Sequence, residues 1–428
     1  MKKRDRIRGF LIFLVPVIVV SWPAGCATSD TGGIMRKAEV VQSDRPRLPA
    51  PSAEEAGVAE LVAGDSAFAL DLYRVLFARE ENLFYSPHSL SVALAMTYAG
   101  ARAETERQMA AALHYTLPQD QLHPAFNALD QALSSRGEGE EAFRLYMANA
   151  IWGQQGYSFL KAFLDTLAEN YGAGLRTVDF ARSEEARRLI NQWVGDQTER
   201  RIPDLLPPNS VDGETTLVLT NAVYFKAAWT HPFAEGRTQD GAFTLLDGGE
   251  VMVPMMEQAA ELGYAERPGV QAVELPYAGG ELSMVILLPE AGSFEAFARG
   301  LDAVELEAIL GEMEPLGVRL GMPKFRFDTE VQLRDALMEL GMVDAFGEAD
   351  FSGMDGTKEL FIDEVYHDAF VAVDEAGTEA AAATAVVVAR KGLAVEQEVR
   401  VDRPFLFLIR DLETGAILFL GHVVNPGA

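Results

Sequence analysis

The sequence predicts an α+β fold, helices packed on large mixed or antiparallel sheets, and three observations carry that expectation. Segments of helical period are concentrated early in the chain and strand-like runs dominate afterwards. The two do not alternate in the βαβ manner of a parallel sheet. Of 428 residues, 49% are apolar and 23% charged, a globular balance in a chain long enough to bury a large core without staples. No internal repeat or linker interrupts residues 58–428, so that stretch reads as one domain.

In chain order, residues 59–80 place Leu61, Phe68, Leu72 and Leu76 at helical spacing. A short strand at 82–85 runs into Ser86-Pro87, where a serine cap with proline in the first turn starts a helix that Gly100 can stop. Further helices are expected over 104–114, 123–135, 160–171, 184–200 and 329–341. Strands are expected over 143–152, 175–180, 216–229, 271–276, 282–288, 318–327, 360–373, 405–410 and 416–424.

The N-terminal 25 residues read as an export signal, with Lys2, Lys3, Arg4, Arg6 and Arg8 ahead of an uncharged apolar run from Phe10 to Val20. Ala24-Gly25-Cys26 at its end resembles the lipobox of bacterial lipoproteins, in which the cysteine is lipidated and becomes the mature N-terminus. Pro23 departs from the aliphatic residue usual there, and an ordinary signal peptide or an uncleaved anchor is the alternative. Residues 26–57 are rich in Pro, Ser, Gly, Ala and acidic residues, with Pro46, Pro49 and Pro51 favouring extended backbone, and read as a flexible tether. The expected location is the cell envelope or outer surface as a lipoprotein, otherwise secreted.

Charge and chemistry narrow the function. There are 64 acidic against 36 basic residues, a net charge of -28. Nucleic-acid binding needs a basic face and is not expected. Cys26 is the single cysteine, which excludes a disulfide framework, a thiolate zinc cluster and a CxxC redox pair. The six histidines are scattered, and no HExxH, GxSxG, Walker or GxGxxG motif occurs, so neither a metal, a cofactor nor an enzyme activity is expected.

The informative stretch runs from Asp374 to Gly392. Read with period two, Thr378, Ala380, Ala382, Thr384, Val386 and Val388 form a face without charge, while Glu379 falls on the other side. Such a segment can enter a sheet as a strand with one face buried. An alanine-rich helix is the competing reading.

This stretch resembles the reactive-centre loop of the serpins. The serpin likeness extends to Asn82-Leu83-Phe84-Tyr85-Ser86-Pro87, Thr220-Asn221-Ala222-Val223-Tyr224-Phe225-Lys226, Val401-Asp402-Arg403-Pro404-Phe405 and Gly421-His422-Val423-Val424-Asn425-Pro426. The resemblance implies a suicide inhibitor of serine proteases, one that traps its target as an acyl-enzyme by inserting the cleaved loop into the main sheet. It implies a loop hinge at Glu375, Ala376, Gly377, Thr378, Glu379, Ala380, Ala381, Ala382 and Ala383. It also implies a polar cluster controlling sheet opening at Ser86, Ser89, Asn221 and His367, with Trp229 where insertion begins and Lys324 as the partner of Glu375. The reactive bond falls at Lys391-Gly392, with Arg390 the alternative one place earlier, so the implied partner is a trypsin-like protease in covalent complex. A monomer is implied. Residues 123–136 hold one Lys or Arg, so no heparin-type activation is expected. A non-inhibitory, ligand-binding or chaperone-like serpin is the alternative function.

Overall fold

Two large sheets organise the chain. The computed structural model describes residues 38–54, 56–77, 81–136, 143–378 and 394–428. Cys26, the loop residues from Glu379 through Ala380, Ala381, Ala382 and Ala383, and Arg390, Lys391 and Gly392 lie outside the described residues.

The first sheet has seven strands, in the order β1 (Glu39–Val41), β4 (Leu175–Val178), β3 (Phe143–Gln154), β5 (Leu217–Ala228), β13 (Gly377–Thr378), β12 (Ile362–Val373) and β11 (Phe325–Gln332). The central strands β5 and β12 pair directly and in parallel from Leu217/Ile362 to Tyr224/Phe370, then diverge. The short β13 occupies the opening, antiparallel to both.

The second sheet runs β14 (Gln397–Arg400), β10 (Glu314–Pro323), β7 (Glu250–Arg267), β8 (Val270–Pro276), β9 (Leu282–Pro289), β15 (Phe405–Asp411), β16 (Ile417–Val423) and β2 (Leu83–Tyr85), with β6 (Gln239–Thr244) paired to β7. Every residue of β9 and β16 is buried, and in β15 all but Arg410. Near-continuous apolar runs are what strands covered on both faces require. Phe84 of β2 stacks on Phe419 of β16 at 4.8 Å and on Phe407 of β15 at 5.6 Å, joining three strands through one aromatic column.

Helices α1 (Val58–Leu76), α2 (Pro87–Tyr98), α3 (Ala103–Ala112), α4 (Gln119–Ser134), α5 (Lys161–Tyr171) and α6 (Ser183–Gln197) fall close to the expected spans. All twelve residues of α2 are buried. Its start follows the sequence signal: the Ser86 hydroxyl accepts from the Ser89 amide at 3.2 Å, and Pro87 fills the first turn, where no amide donor is needed. On the opposite face of the first sheet, α6 closes a second apolar cluster, with Ile190 and Val194 among Trp152, Val218 and Ala222.

Three expectations need correction. Residues 38–54 are no free tether: β1 adds to the edge of β4, the Leu48 amide donates to Glu169 at 2.8 Å, and Arg47 bonds Asn127 at 2.8 Å and Asp130 at 2.6 Å. Proline removed any apolar period from this stretch, but its arginines find partners on α4 and α5. The run at 318–327 is two strands in different sheets, parted at Lys324, whose amide donates to Pro254 of β7. The helix expected over 329–341 shrinks to Arg334–Glu339, because β11 continues to Gln332.

Candidate functional site

The site begins where β12 ends. The chain turns at Asp374, whose Oδ1 accepts from the amides of Ala376 at 2.8 Å and Gly377 at 3.2 Å, while its own amide donates to the Gly377 carbonyl at 2.9 Å. An Asx turn of this kind reverses direction within three residues and delivers Gly377 and Thr378 back toward the sheet. There Thr378 pairs with Val373 on one side and Ala227 on the other, and Gly377 with Ala228. Glycine is required by close approach, since a Cβ at 377 would lie 2.0 Å from the Ala227 carbonyl oxygen.

Trp229 and Lys324, both named through the family resemblance, contact this turn. The Trp229 amide donates to Ala376 at 2.9 Å and its indole Nε1 to the Asp374 carbonyl at 3.0 Å. The Lys324 Nζ meets Glu375 Oε2 at 2.6 Å, and the Thr238 hydroxyl donates to Oε1 at 2.7 Å. Burial would raise the Glu375 carboxyl, but these two bonds, a backbone hydrogen bond and the Lys324 charge together outweigh it and leave the group below its ordinary value.

Tyr277 was not visible in the sequence. Its ring stacks on Trp229 at 4.6 Å with planes 9° apart, and its hydroxyl lies 2.7 Å from that of Thr378. Thr378 and Tyr277 are both fully buried, so this bond fixes the first inserted side chain in an apolar slot.

Below the opening, Ser86, Ser89, Asn221 and His367 do come together, on the α2 side of the sheet. His367 Nδ1 is 2.6 Å from Asn221 Oδ1, and the Ser86 amide donates to His367 Nε2 at 3.3 Å. An acceptor role for Nε2 assigns the proton to Nδ1, the neutral tautomer. Burial drives the imidazole down to about 3, consistent with that neutral form. The Asn221 amide donates to Ser89 Oγ at 2.8 Å and to Asn149 Oδ1 at 2.7 Å, and the Ser89 hydroxyl also donates to Asn149 at 2.8 Å. Asn149 completes the network from β3 and was missed. Its signal, an amide between two alanines ahead of Ile151 and Trp152, was present.

Asn221 on β5 and His367 on β12 are direct partners in the parallel ladder, so their bond spans the seam between the two central strands. The arrangement, hereafter the latch, joins two strands through side-chain bonds. Among the described residues no cluster of three or more metal-ligating side chains occurs.

The family profile described as serpin, serine protease inhibitor, matches residues 63–426. The chain belongs to the serpins. Among relatives of this serpin, a serpin-like protein of Thermococcus kodakarensis is 42% identical over 365 residues, covering 84% of each chain. The leukocyte elastase inhibitor of Sus scrofa is 41% identical, covering 86% of this serpin and 100% of the relative. In structure, the native thermophilic serpin tengpin superposes with a TM-score of 0.81 at 29% identity, over 91% of this chain and all of the other. Uncleaved ovalbumin gives a TM-score of 0.77 at 29% identity, over 86% of this serpin and all of ovalbumin. The expected family and fold therefore hold, and serpins as a group are inhibitors of proteases rather than catalysts.

Proposed function

We propose that this serpin traps a trypsin-like serine protease as an acyl-enzyme. The carrying observation is the parted seam: β5 and β12 diverge above Tyr224 and Phe370, and the first two residues of the loop already pair in the gap. In the reaction the protease serine attacks the Lys391 carbonyl. The Lys391–Gly392 bond breaks, the Gly392 amine leaves with a proton from the protease's general acid, and the ester remains on the protease. Insertion of the freed strand then outruns hydrolysis of the ester.

The register supports a strand rather than a helix for the inserted segment. Continued down both ladders, it sets Ala383 between Ala222 and Asp368, and Thr384 between Asn221 and His367. The Thr384 hydroxyl both donates and accepts, so it can replace the bond that insertion breaks. The 14 residues from Thr378 to Lys391 reach roughly 46 Å as a strand. Arg390 and Lys391 set the target class, since a long cation before the cut pairs with a buried carboxylate in trypsin-like pockets. An elastase target, as the names of the mammalian relatives print, would not be favoured by that pair.

The test is direct. Mixed with trypsin, the protein gives a covalent complex stable in denaturant, and mass spectrometry of the released peptide begins at Gly392. Lys391→Leu weakens trapping more than Arg390→Ala does; the reverse order moves the reactive bond to Arg390. Thr378→Arg converts inhibitor to substrate, since it puts a long charged side chain into the fully buried slot beside Tyr277. Cleavage without complex in the wild-type protein would leave the non-inhibitory reading. The protein works as an exported monomer held to a membrane through lipid on Cys26, and Cys26→Ala releases it from the detergent phase.

A further inference from the structure

The side of the seam opposite the latch carries Asp368, and nothing in the inhibitory cycle above uses it. Asp368 sits at the middle of β12, 6% exposed, and its Oδ1 is buried without a hydrogen-bond partner among the described residues. Its ladder partner on β11 is Glu330, with Asp328 diagonal on the same face; on β5 it faces Ala222. A buried carboxylate opposite one carboxylate and diagonal to another is an unfavourable placement that water would relieve.

Of the other charged and titratable groups of this face, Glu364 of β12 accepts from the Arg334 and Val365 amides, and Arg144 of β3 donates to Tyr146. Lys226 of β5 lies beyond the point where β5 and β12 part. Arg326 of β11 lies over the Phe370 ring at 5.2 Å, and Arg201, after α6, over the Tyr224 ring of β5 at 5.7 Å. Tyr366, two places along β12, donates to the Ser210 carbonyl at 3.0 Å, and Tyr146 of β3 donates to Glu199 at 2.7 Å. The α6 side contributes apolar residues, among them Ile190, Val194 and Ile202.

We propose that Asp368 makes the closed seam between β5 and β12 sensitive to pH, its ionised form loosening the seam and its protonated form holding it shut. Opening the seam uncovers the flank that Ala222 now covers and lets water reach the carboxylate. Burial first, then Glu330 and Asp328, raise the group to about 7 in the closed sheet. A carboxyl raised in the native state costs nothing while both states are protonated. The penalty grows as pH climbs from the ordinary carboxylate range toward 7 and is complete above it. The closed seam is therefore weakest, and opens fastest, above neutrality.

The effect on trapping rests on the proposed inhibitory function; the effect on the resting protein does not. The experiment compares the native full chain with Asp368→Asn, a neutral stand-in for the protonated acid. Thermal midpoints are taken at pH 5 and pH 8, and trypsin-trapping activity is followed after warming at each pH, with every aliquot assayed at pH 8. The variant gains several degrees at pH 8 and little at pH 5, and its warm inactivation at pH 8 slows about tenfold for each pH unit the native group is raised. Glu330→Gln, at an exposed position, moves the wild-type transition to lower pH while keeping Asp368. Equal midpoints at pH 8, or the same gain at both pH values, overturn the proposal, and so does a Glu330→Gln protein with an unmoved transition. If no protein traps trypsin at any pH, the inhibitory reading fails while the midpoints still decide the role of Asp368.

Discussion

The two sheets obey different rules. The strands β9, β15 and β16 are apolar along nearly their whole length and meet β2 through stacked phenylalanines. Contacts of that kind have no substitute partner, so separating them loses everything at once. The β5–β12 seam is instead crossed by Asn221 and His367, backed by Ser86, Ser89 and Asn149, and flanked by alanines at 222, 227 and 369. Side-chain hydrogen bonds can be exchanged for others at small net cost, and small residues leave room for a new strand. One sheet is held by packed rings, and the centre of the other by exchangeable bonds.

The strongest way to break that contrast is Phe419→Ala. The ring is fully buried between Phe84 and Phe225, and its loss costs about 3–5 kcal/mol in urea unfolding, with no selective change in loop insertion. Acid tests the seam next. His367 has its imidazole depressed to about 3. A depressed group gives stability that is full above its ordinary value near 6.5 and is lost progressively as pH falls toward 3. Against the opposite trend set by Asp368, the native midpoint should fall relative to that of His367→Phe, which cannot take up a proton, as pH drops through that window. Tyr277→Phe is smaller, about 1–2 kcal/mol, because it leaves the Thr378 hydroxyl buried without its partner; trapping of trypsin should shift more than urea stability does. Least of all is Lys324→Ala, below about 1 kcal/mol, since the lysine is 37% exposed and screened.

How much of this was legible follows from what decides each element. The strands of the second sheet announce themselves because both faces are covered and the residues are apolar throughout. That Lys324 meets Glu375, and that Ser86, Ser89, Asn221 and His367 cluster, could be anticipated only through family resemblance, and the Ser86 cap through local chemistry alone. The 18-residue β7 escaped notice because its middle, Met255-Met256-Glu257-Gln258-Ala259-Ala260, is composed of helix formers, and only pairing with β6, β8 and β10 makes it a strand. Tyr277 and Thr378 are separated by 101 residues, and no local pattern links them. Asp368 reads as an ordinary charged residue until the ladder sets it opposite Glu330.

The segment 38–54 changes what an anchored form of this protein can do. Were the chain free from Cys26 to residue 57, the domain could roam about 105 Å from a lipid on that cysteine, at about 3.4 Å per residue. With β1 fixed to β4 and Arg47 fixed to α4, the stretch from residue 38 to residue 54 adds nothing to that reach. Sequence composition alone counts those residues as slack, and the pairing turns them into part of the folded body, so any tethering length has to be counted from β1 and not from α1.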